Sequence, residues 1–350
     1  MSSIAYSDLQ SFVRGVLDAA GLDDFSADSV ATGLCETSLR GVDSHGIRLL
    51  PHYAQSALTG RKNPTPNFTF NRTFPAIGML DADNAFGHAA GMRAIDHAME
   101  MAEELGLGAV GVANSSHPGA MASFALKAAR QGYVAFAFTH ADSLLLSAGG
   151  TRPYFGTNPV CMAAPRDEEE PYCLDMATSV IPWNRLRIHQ DSDTPLPGGV
   201  AADERGFATE DPHSVKCLMP VGSPIAGYKG YGLASMVEVL CGVMTGVPFG
   251  RDIPAMFTAP MDQPRQLGQF YLVMRSDAAM AKSEFEGRMQ TMTDSVRSEP
   301  THPGETVMLP GDKEIMEAKR RAAEGVPLDE ATVGAFRDLS SQFNVAVNII

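Results

Sequence analysis

The chain has 350 residues, 44% of them apolar and 19% charged, with 33 glycines and 23 prolines, which describes a loop-rich globular protein of one large or two ordinary domains and excludes a disordered or coiled-coil chain. Its 27 basic and 41 acidic side chains leave a net charge of −14, which argues against nucleic acid or an anionic membrane as partner, so that any anionic ligand needs locally placed cations. Five scattered cysteines without a C-x-x-C pair support neither a disulfide framework nor a zinc ribbon and fit a reducing cytoplasm; the first ten residues lack a signal-peptide pattern, and no apolar run reaches the ~18 residues of a membrane helix.

Leu9, Phe12, Val13, Val16, Leu17 and Ala20 predict a helix over 7–20, opened by a Ser7-x-x-Gln10 capping box and closed by Gly21. Further helices are expected over 26–39 and 48–58, with 40–46 as the polar turn between them. A Pro/Asn/Thr-rich connector covers 62–73. Residues 87–105 read as a long helix and 108–113 as a buried strand, followed by a helix at 120–131 and a strand at 133–139. This strand, helix, strand unit predicts that part of the sheet is parallel. Short strands are expected at 160–164 and 172–174, and the Asp/Pro/Gly-rich stretch 191–213 reads as an exposed excursion. Leu233, Met236, Val237, Leu240, Cys241 and Met244 form a helical stripe expected to be core. A strand at 269–275 and helices at 282–296, 312–324 and 329–343 complete the chain.

A literal G-x-G-x-x-G spans 106–111, but a helix ends before it and a strand follows, the reverse of the order that brings a pyrophosphate to a helix N-terminus. These glycines therefore read as a helix cap and the start of a strand, not as a Rossmann fingerprint. In Arg40-Gly-Val-Asp-Ser-His-Gly-Ile-Arg48 the composition alone favours a capped turn with solvated charges. The alternative is that His45 and Arg48, three apart on one helical face, present an imidazole and a planar guanidinium to a small carboxylate. His117 lies between a strand and a helix; it reads equally as part of a capping loop or as a neutral imidazole, kept so by the helix's positive end, that takes a proton.

The glycine-dense loop 149–159, the Asp175-Met-Ala-Thr-Ser179 segment after a strand, and Lys229 at a helix start are each weak signals. Together they supply the amides and the cation that a phosphate-bearing cofactor needs. The nine histidines form no H-E-x-x-H, and no G-x-S-x-G elbow occurs, so neither a zinc protease nor a serine hydrolase is indicated.

In this order, RGVDSHGIR (40–48), NSSHPGA (114–120), GTNP (156–159), DMATS (175–179), GYKGYGLA (227–234) and LPGD (309–312) resemble the malate/L-lactate dehydrogenase family of the second type, which includes ureidoglycolate and L-sulfolactate dehydrogenases and cyclic ketimine reductases. The resemblance covers essentially the whole chain. It implies an α/β fold like that of L-sulfolactate dehydrogenase. A non-Rossmann cofactor domain with a largely antiparallel or mixed central sheet would span 74–309, and 1–73 with 310–350 would form a mainly helical substrate and dimerisation domain.

By the same resemblance His117 is the proton donor and acceptor, and Ser44, His45, Arg48, Thr157 and Asn158 contact the substrate. His140, Ala141, Asp175, Met176, Ala177, Lys229, Pro310, Gly311 and Asp312 would contact NAD or NADP, with NAD favoured and no metal involved. The implied activity is hydride transfer between that cofactor and a small anionic (S)-2-hydroxy acid or its 2-oxo acid, by a cytoplasmic homodimer. Reduction of a cyclic imine carboxylate is the alternative within the family. A metal-dependent lyase or hydrolase using His45, His117 and an acidic partner is the rival from another class, and a relative that binds ligand without turnover is a third reading. The segment Thr139-His-Ala-Asp-Ser143 departs from the family's usual Thr-Asn-Ser/Ala-Ser-Pro, and Asp142 there reads as a turn cap or as a partner for a cationic substrate group.

Overall fold

The computed structural model describes residues 2–350. Its N-terminal part forms β1 (Ser2–Ile4), α1 (Tyr6–Ala19), α2 (Asp24–Leu39) and α3 (Leu50–Leu58), followed by β2 (Thr69–Phe74), β3 (Ile77–Asp81), α4 (Gly87–Leu105), β4 (Leu107–Ser115), α5 (Ala122–Ala129) and β5 (Tyr133–Thr139). Next come β6 (Leu145–Leu146), β7 (Pro153–Phe155), β8 (Val160–Ala164), β9 (Tyr172–Met176), α6 (Trp183–Asp191), β10 (Ala201–Ala202), β11 (Cys217–Leu218) and α7 (Gly227–Glu238). The chain closes with β12 (Leu267–Arg275), α8 (Lys282–Arg297), α9 (Asp312–Glu324), β13 (Val326–Leu328) and α10 (Glu330–Phe343).

Seven strands in the order β2-β3-β4-β12-β5-β8-β9 make the central sheet. Only β3 and β4 pair in parallel, joined by the crossover helix α4; every other neighbour is antiparallel. The unit β4, α5, β5 does not pair as its sequence suggests. β12 arrives from far along the chain and inserts between β4 and β5, antiparallel to both. The sheet is thus mixed, and α4 ends on Gly106 in the left-handed conformation (φ +82°) with β4 starting at once. A side chain at Gly108 would strike the Ala98 carbonyl of α4, so that glycine serves helix–strand packing and not a phosphate.

A second core, including Leu9, Phe12, Val16, Leu34, Tyr53, Phe86, Val326 and Phe336, ties α1 to α3 to the C-terminal helices, and β1 pairs with β13. Helix α1 begins at Tyr6 behind Ala5, which offers no side-chain cap, so the Ser7 to Gln10 box does not form. Asp23 does cap α2, accepting the Ser26 amide. Strand β2 occupies the end of what reads as a connector, because its outward positions carry Thr, Asn and Arg, and β3 follows directly. The 191–213 excursion buries Leu196, Val200 and Ala201 against Leu186 and Leu218, and carries β10 of the small β10-β11-β6-β7 sheet.

The stripe on α7 and its π-helical continuation (Val239–Val243) is also corrected. Val237 and Cys241 are buried, but Leu233, Met236, Val239, Val243 and Met244 are exposed, together with Ile225 (93% exposed) and Tyr228 (64%). This segment is apolar on two faces, and only one of them reaches the sheet.

Candidate active site

A cavity of about 720 Å³ lies between the helical layer and the sheet, within the ~300–1,000 Å³ of cofactor and ligand pockets. One part of its wall carries Ser44, His45, His117, Asp142, Met256 and Phe257. Another carries Glu36, Arg40, Cys173, Asp175, Gly311 and Glu314, and residues 119–123, which run into the first turn of α5, line it too.

His117 follows β4, and its ring stacks on His45 with centroids 5.6 Å apart and planes 20° from parallel. Tyr53 Oη, from α3, lies 2.7 Å from His117 Nδ1, and the Gly119 amide donates to the same nitrogen at 3.3 Å. Burial, and then the nearby His45, Arg265, Lys62 and His88, hold the His117 imidazole well below its ordinary value. A helix terminus is not the cause: α5 starts five residues later, at Ala122. Burial likewise lowers His45, whose Nδ1 is 2.9 Å from Ser44 Oγ.

Arg48 is not brought to this group. Gly46 (φ −98°, ψ −145°) breaks the chain into two separate 3-10 turns, Asp43–His45 and Ile47–Leu49, so residues 45 and 48 do not share a helical face. The Arg48 guanidinium is half-exposed and 3.3 Å from Asp329. Of the guanidinium groups on the chain, Arg187 on α6 and Arg40 do line the cavity, the former lying over the Phe257 ring at 4.4 Å. Asp142 neither caps a turn nor waits for a substrate cation: it pairs with buried Arg265 and accepts the Met256 amide at 3.3 Å.

Thr157 lines the cavity, whereas Asn158 is buried, accepting the Ala141 amide (3.0 Å) and donating to Glu238 (2.6 Å) and the Ala234 carbonyl (2.9 Å). His140 has a wholly buried side chain whose Nε2 accepts the Gly268 amide at 2.8 Å, with Nδ1 3.5 Å from Glu238. Its ring is thus fixed by these two neighbours, and the residue also lines the cavity beside Ala141. Asp175 and Ala177 line the wall, while Met176, between them, does not. Asp175 accepts the Ala122 amide at 2.8 Å and is pushed up to about 6 by burial, against the amides of Ala122 and Met121 and helped by Glu314.

Pro310 and Gly311 line the cavity, but Asp312 does not. It binds Arg166 (3.0 Å) and Arg297 (2.8 Å). Burial would raise its pKa, yet Arg297, the Leu309 amide and Arg166 hold it at about 2. Lys229 is exposed on the first turn of α7, outside the wall. Its neighbour Gly230 donates to the Val221 carbonyl, Val221 to Thr178 and Thr178 to Thr157, a backbone chain that reaches the rim.

Sequence reasoning missed Tyr53, Lys62, His88 and Arg265. All four are buried around His117, but in sequence a buried cation in a connector looks like a surface one. Among the described residues no trio of His, Cys, Asp or Glu is placed to hold a metal ion, and none forms around His45 and His117. No described helix is long and apolar enough to cross a membrane.

The sequence profile of the malate/L-lactate dehydrogenase family matches residues 4–337. Ureidoglycolate dehydrogenase (NAD(+)) of Escherichia coli strain K12 is 32% identical over 326 residues, covering 93% of this chain and 92% of that protein. Malate dehydrogenase from Entamoeba histolytica has the same fold, with a TM-score of 0.93 at 28% identity over 99% of both chains. Delta1-piperideine-2-carboxylate reductase from Pseudomonas syringae pvar. tomato gives 0.86 at 27% identity, over 97% of this chain and 100% of that one. The mixed, non-Rossmann sheet, the whole-chain profile and the relatives agree: this chain is an enzyme of the malate/L-lactate dehydrogenase family.

Proposed function

We propose that this protein is an NAD-dependent oxidoreductase that interconverts a small (S)-2-hydroxy acid and its 2-oxo acid. The observation that carries the reading is the stacked pair His45 and His117, kept neutral by burial, on the wall of a cavity large enough for a dinucleotide. The cavity suits such a cofactor: Gly119, Ala120, Ala122 and Ser123 offer small residues at the start of α5, and Gly311 (φ +94°) brings the backbone close to Cys173. A bound nicotinamide supplies the acceptor for the hydride from C2. His117 takes the hydroxyl proton in oxidation and returns it in reduction. Ser44, His45 and Thr157 contact the substrate, and Arg187 replaces Arg48 as the carboxylate anchor, since it is the guanidinium that lines the cavity near Phe257.

Asp175, Glu314 and Glu36 wall the region away from the imidazoles and disfavour an additional phosphate, which supports NAD over NADP. Pro310, Gly311, Ala141 and Ala177 would contact the cofactor, with Lys229 reaching in from the rim. We assign the helical layer, 1–73 and 310–350, to substrate binding and 74–309 to the cofactor, and place a homodimer contact on the exposed apolar face of α7. Five unpaired, buried thiols support a cytoplasmic location.

Reduction of a cyclic imine carboxylate is the second reading, favoured by the likeness to the Pseudomonas syringae reductase. The Arg265 guanidinium near His117 speaks against a positively charged iminium. A panel of 2-oxo acids and cyclic imines with NADH and NADPH tests both readings. Oxidation of NADH by a 2-oxo acid, unaffected by chelator, is expected; activity only with imines, or activity lost with chelator, overturns the proposal.

A further inference from the structure

We propose that Tyr53 is the positioning residue that sets which nitrogen of His117 carries the proton; this rests on the reading of His117 as the proton-transfer group. Tyr53 Oη is 2.7 Å from His117 Nδ1 and 3.3 Å from the carbonyl oxygen of the same residue. Nδ1 is thereby occupied, and Nε2 is left as the ring nitrogen available to the cavity that His117 lines. Burial raises the Tyr53 hydroxyl far above its ordinary value, so it stays a phenol and can both donate and accept. Lys62 Nζ, whose charged form burial disfavours, packs against the face of the Tyr53 ring, 3.6 Å from its centroid and 4.8 Å from that of Phe86.

Two arrangements follow. With the Tyr53 hydroxyl donating to Nδ1, alongside the Gly119 amide, His117 carries its proton on Nε2 and cannot act as a base there. With the hydroxyl donating to the His117 carbonyl, Tyr53 accepts from Nδ1–H, the long 3.3 Å contact from the Gly119 amide is given up, and Nε2 offers a lone pair. In oxidation the substrate O–H bond breaks and its proton joins Nε2, while the C2–H bond breaks and its electron pair leaves as hydride to the nicotinamide. The imidazolium formed keeps Nδ1–H on Tyr53. In reduction each transfer runs backwards.

This acceptor matters because of what else faces the ring. His45 from the first 3-10 turn, His88 from α4, Lys62 from the segment after α3 and Arg265 from before β12 all disfavour the imidazolium. The carboxylate of the cluster, Asp142, is taken by Arg265. Tyr53 thus offers Nδ1–H a neutral acceptor where the carboxylate of the cluster is already paired.

The test uses the whole protein labelled with ¹⁵N-histidine, with His117→Asn identifying the His117 signals, alongside kinetics in both directions. In Tyr53→Phe the Nε2–H form should dominate, the His117 titration should move to lower pH, and kcat should fall roughly 10–100-fold while KM and cofactor Kd change little. If that variant does not fold, 3-fluorotyrosine placed at position 53, a weaker acceptor of nearly the same size, should shift the titration in the same direction. Unchanged ¹⁵N shifts and an unchanged titration in the variant that folds would overturn the inference. The spectra read Tyr53 directly, so they judge it even if the substrate panel overturns the dehydrogenase reading.

Discussion

The two ends of the cavity differ in charge. Around His117 stand Arg61, Lys62, Arg265 and the imidazoles of His45, His52 and His88, against the single carboxylate Asp142. Around Gly311 stand Asp175, Glu314 and Glu36, with Arg40 held 3.7 Å from Glu170. Burial acts on both and in opposite directions: it drives imidazoles down, His52 and His88 to about 3, and it drives the Asp175 carboxyl up to about 6. A chain of net charge −14 thus places the guanidinium groups of Arg61 and Arg265 among neutral imidazoles where an anionic substrate reacts, and leaves acids where an extra phosphate would sit.

Acid should separate the two ends most. His88 is wholly buried, neither ring nitrogen has a hydrogen-bond partner, and its folded pKa is about 3. A depressed folded value contributes stability that is present above the unfolded pKa of ~6.5 and is lost as pH falls toward 3. The wild-type protein should therefore lose up to about 5 kcal/mol over that range from this group alone. His88→Met should flatten the loss, read by urea unfolding at pH 7 and pH 4. Equal slopes for both proteins would show that the cationic end does not govern acid stability.

Asp175 carries the opposite sign. Its raised folded value contributes stability present at low pH and lost as pH rises through about 6, an effect softened because the carboxylate opens onto the cavity. For ligand binding, the charged form should repel a phosphate-bearing cofactor. NADH affinity should weaken roughly 2–5-fold between pH 5 and pH 7.5 in the wild type and stay level in Asp175→Asn, measured by fluorescence titration. Parallel curves would remove Asp175 from the cofactor end.

The smallest effect is expected at Arg48. Its pairing with Asp329 outside the wall predicts that Arg48→Lys leaves substrate KM within about twofold, whereas Arg187→Lys, which loses the planar fork, raises it about tenfold. The reverse order would return the carboxylate to Arg48.

Elements with strong local punctuation were legible in the sequence. Gly106 ends α4 where its spacing says, and β5, β8 and α9 have the expected bounds. What long-range pairing decides was not. Nothing local announces that β12 enters between β4 and β5, or that the polar outer face of β2 belongs to a sheet edge. In the site, His45 and His117 were visible through their glycine-flanked turns. Asn158 and Asp312 sit in equally distinctive motifs but lie outside the wall and brace the backbone, because a buried polar side chain must satisfy its partners whether or not a ligand is near. Tyr53 and Lys62 carry no motif, and only the packing of α3 against the 84–88 turn brings them to His117.

The most direct test is the pH dependence of kcat/KM for 2-oxo acid reduction at saturating NADH, in wild type and His117→Asn. Reduction needs a protonated donor, and burial, then the neighbouring His45, Arg265, Lys62 and His88, lower His117, so wild-type activity should fall with rising pH at a midpoint below the ordinary imidazole value of ~6.5. The variant should keep its fold and NADH affinity, lose ~10²–10⁴ in rate, and lose that limb. A His117→Asn enzyme with the wild-type rate and the same falling limb would contradict the account and move the proton donor to another group.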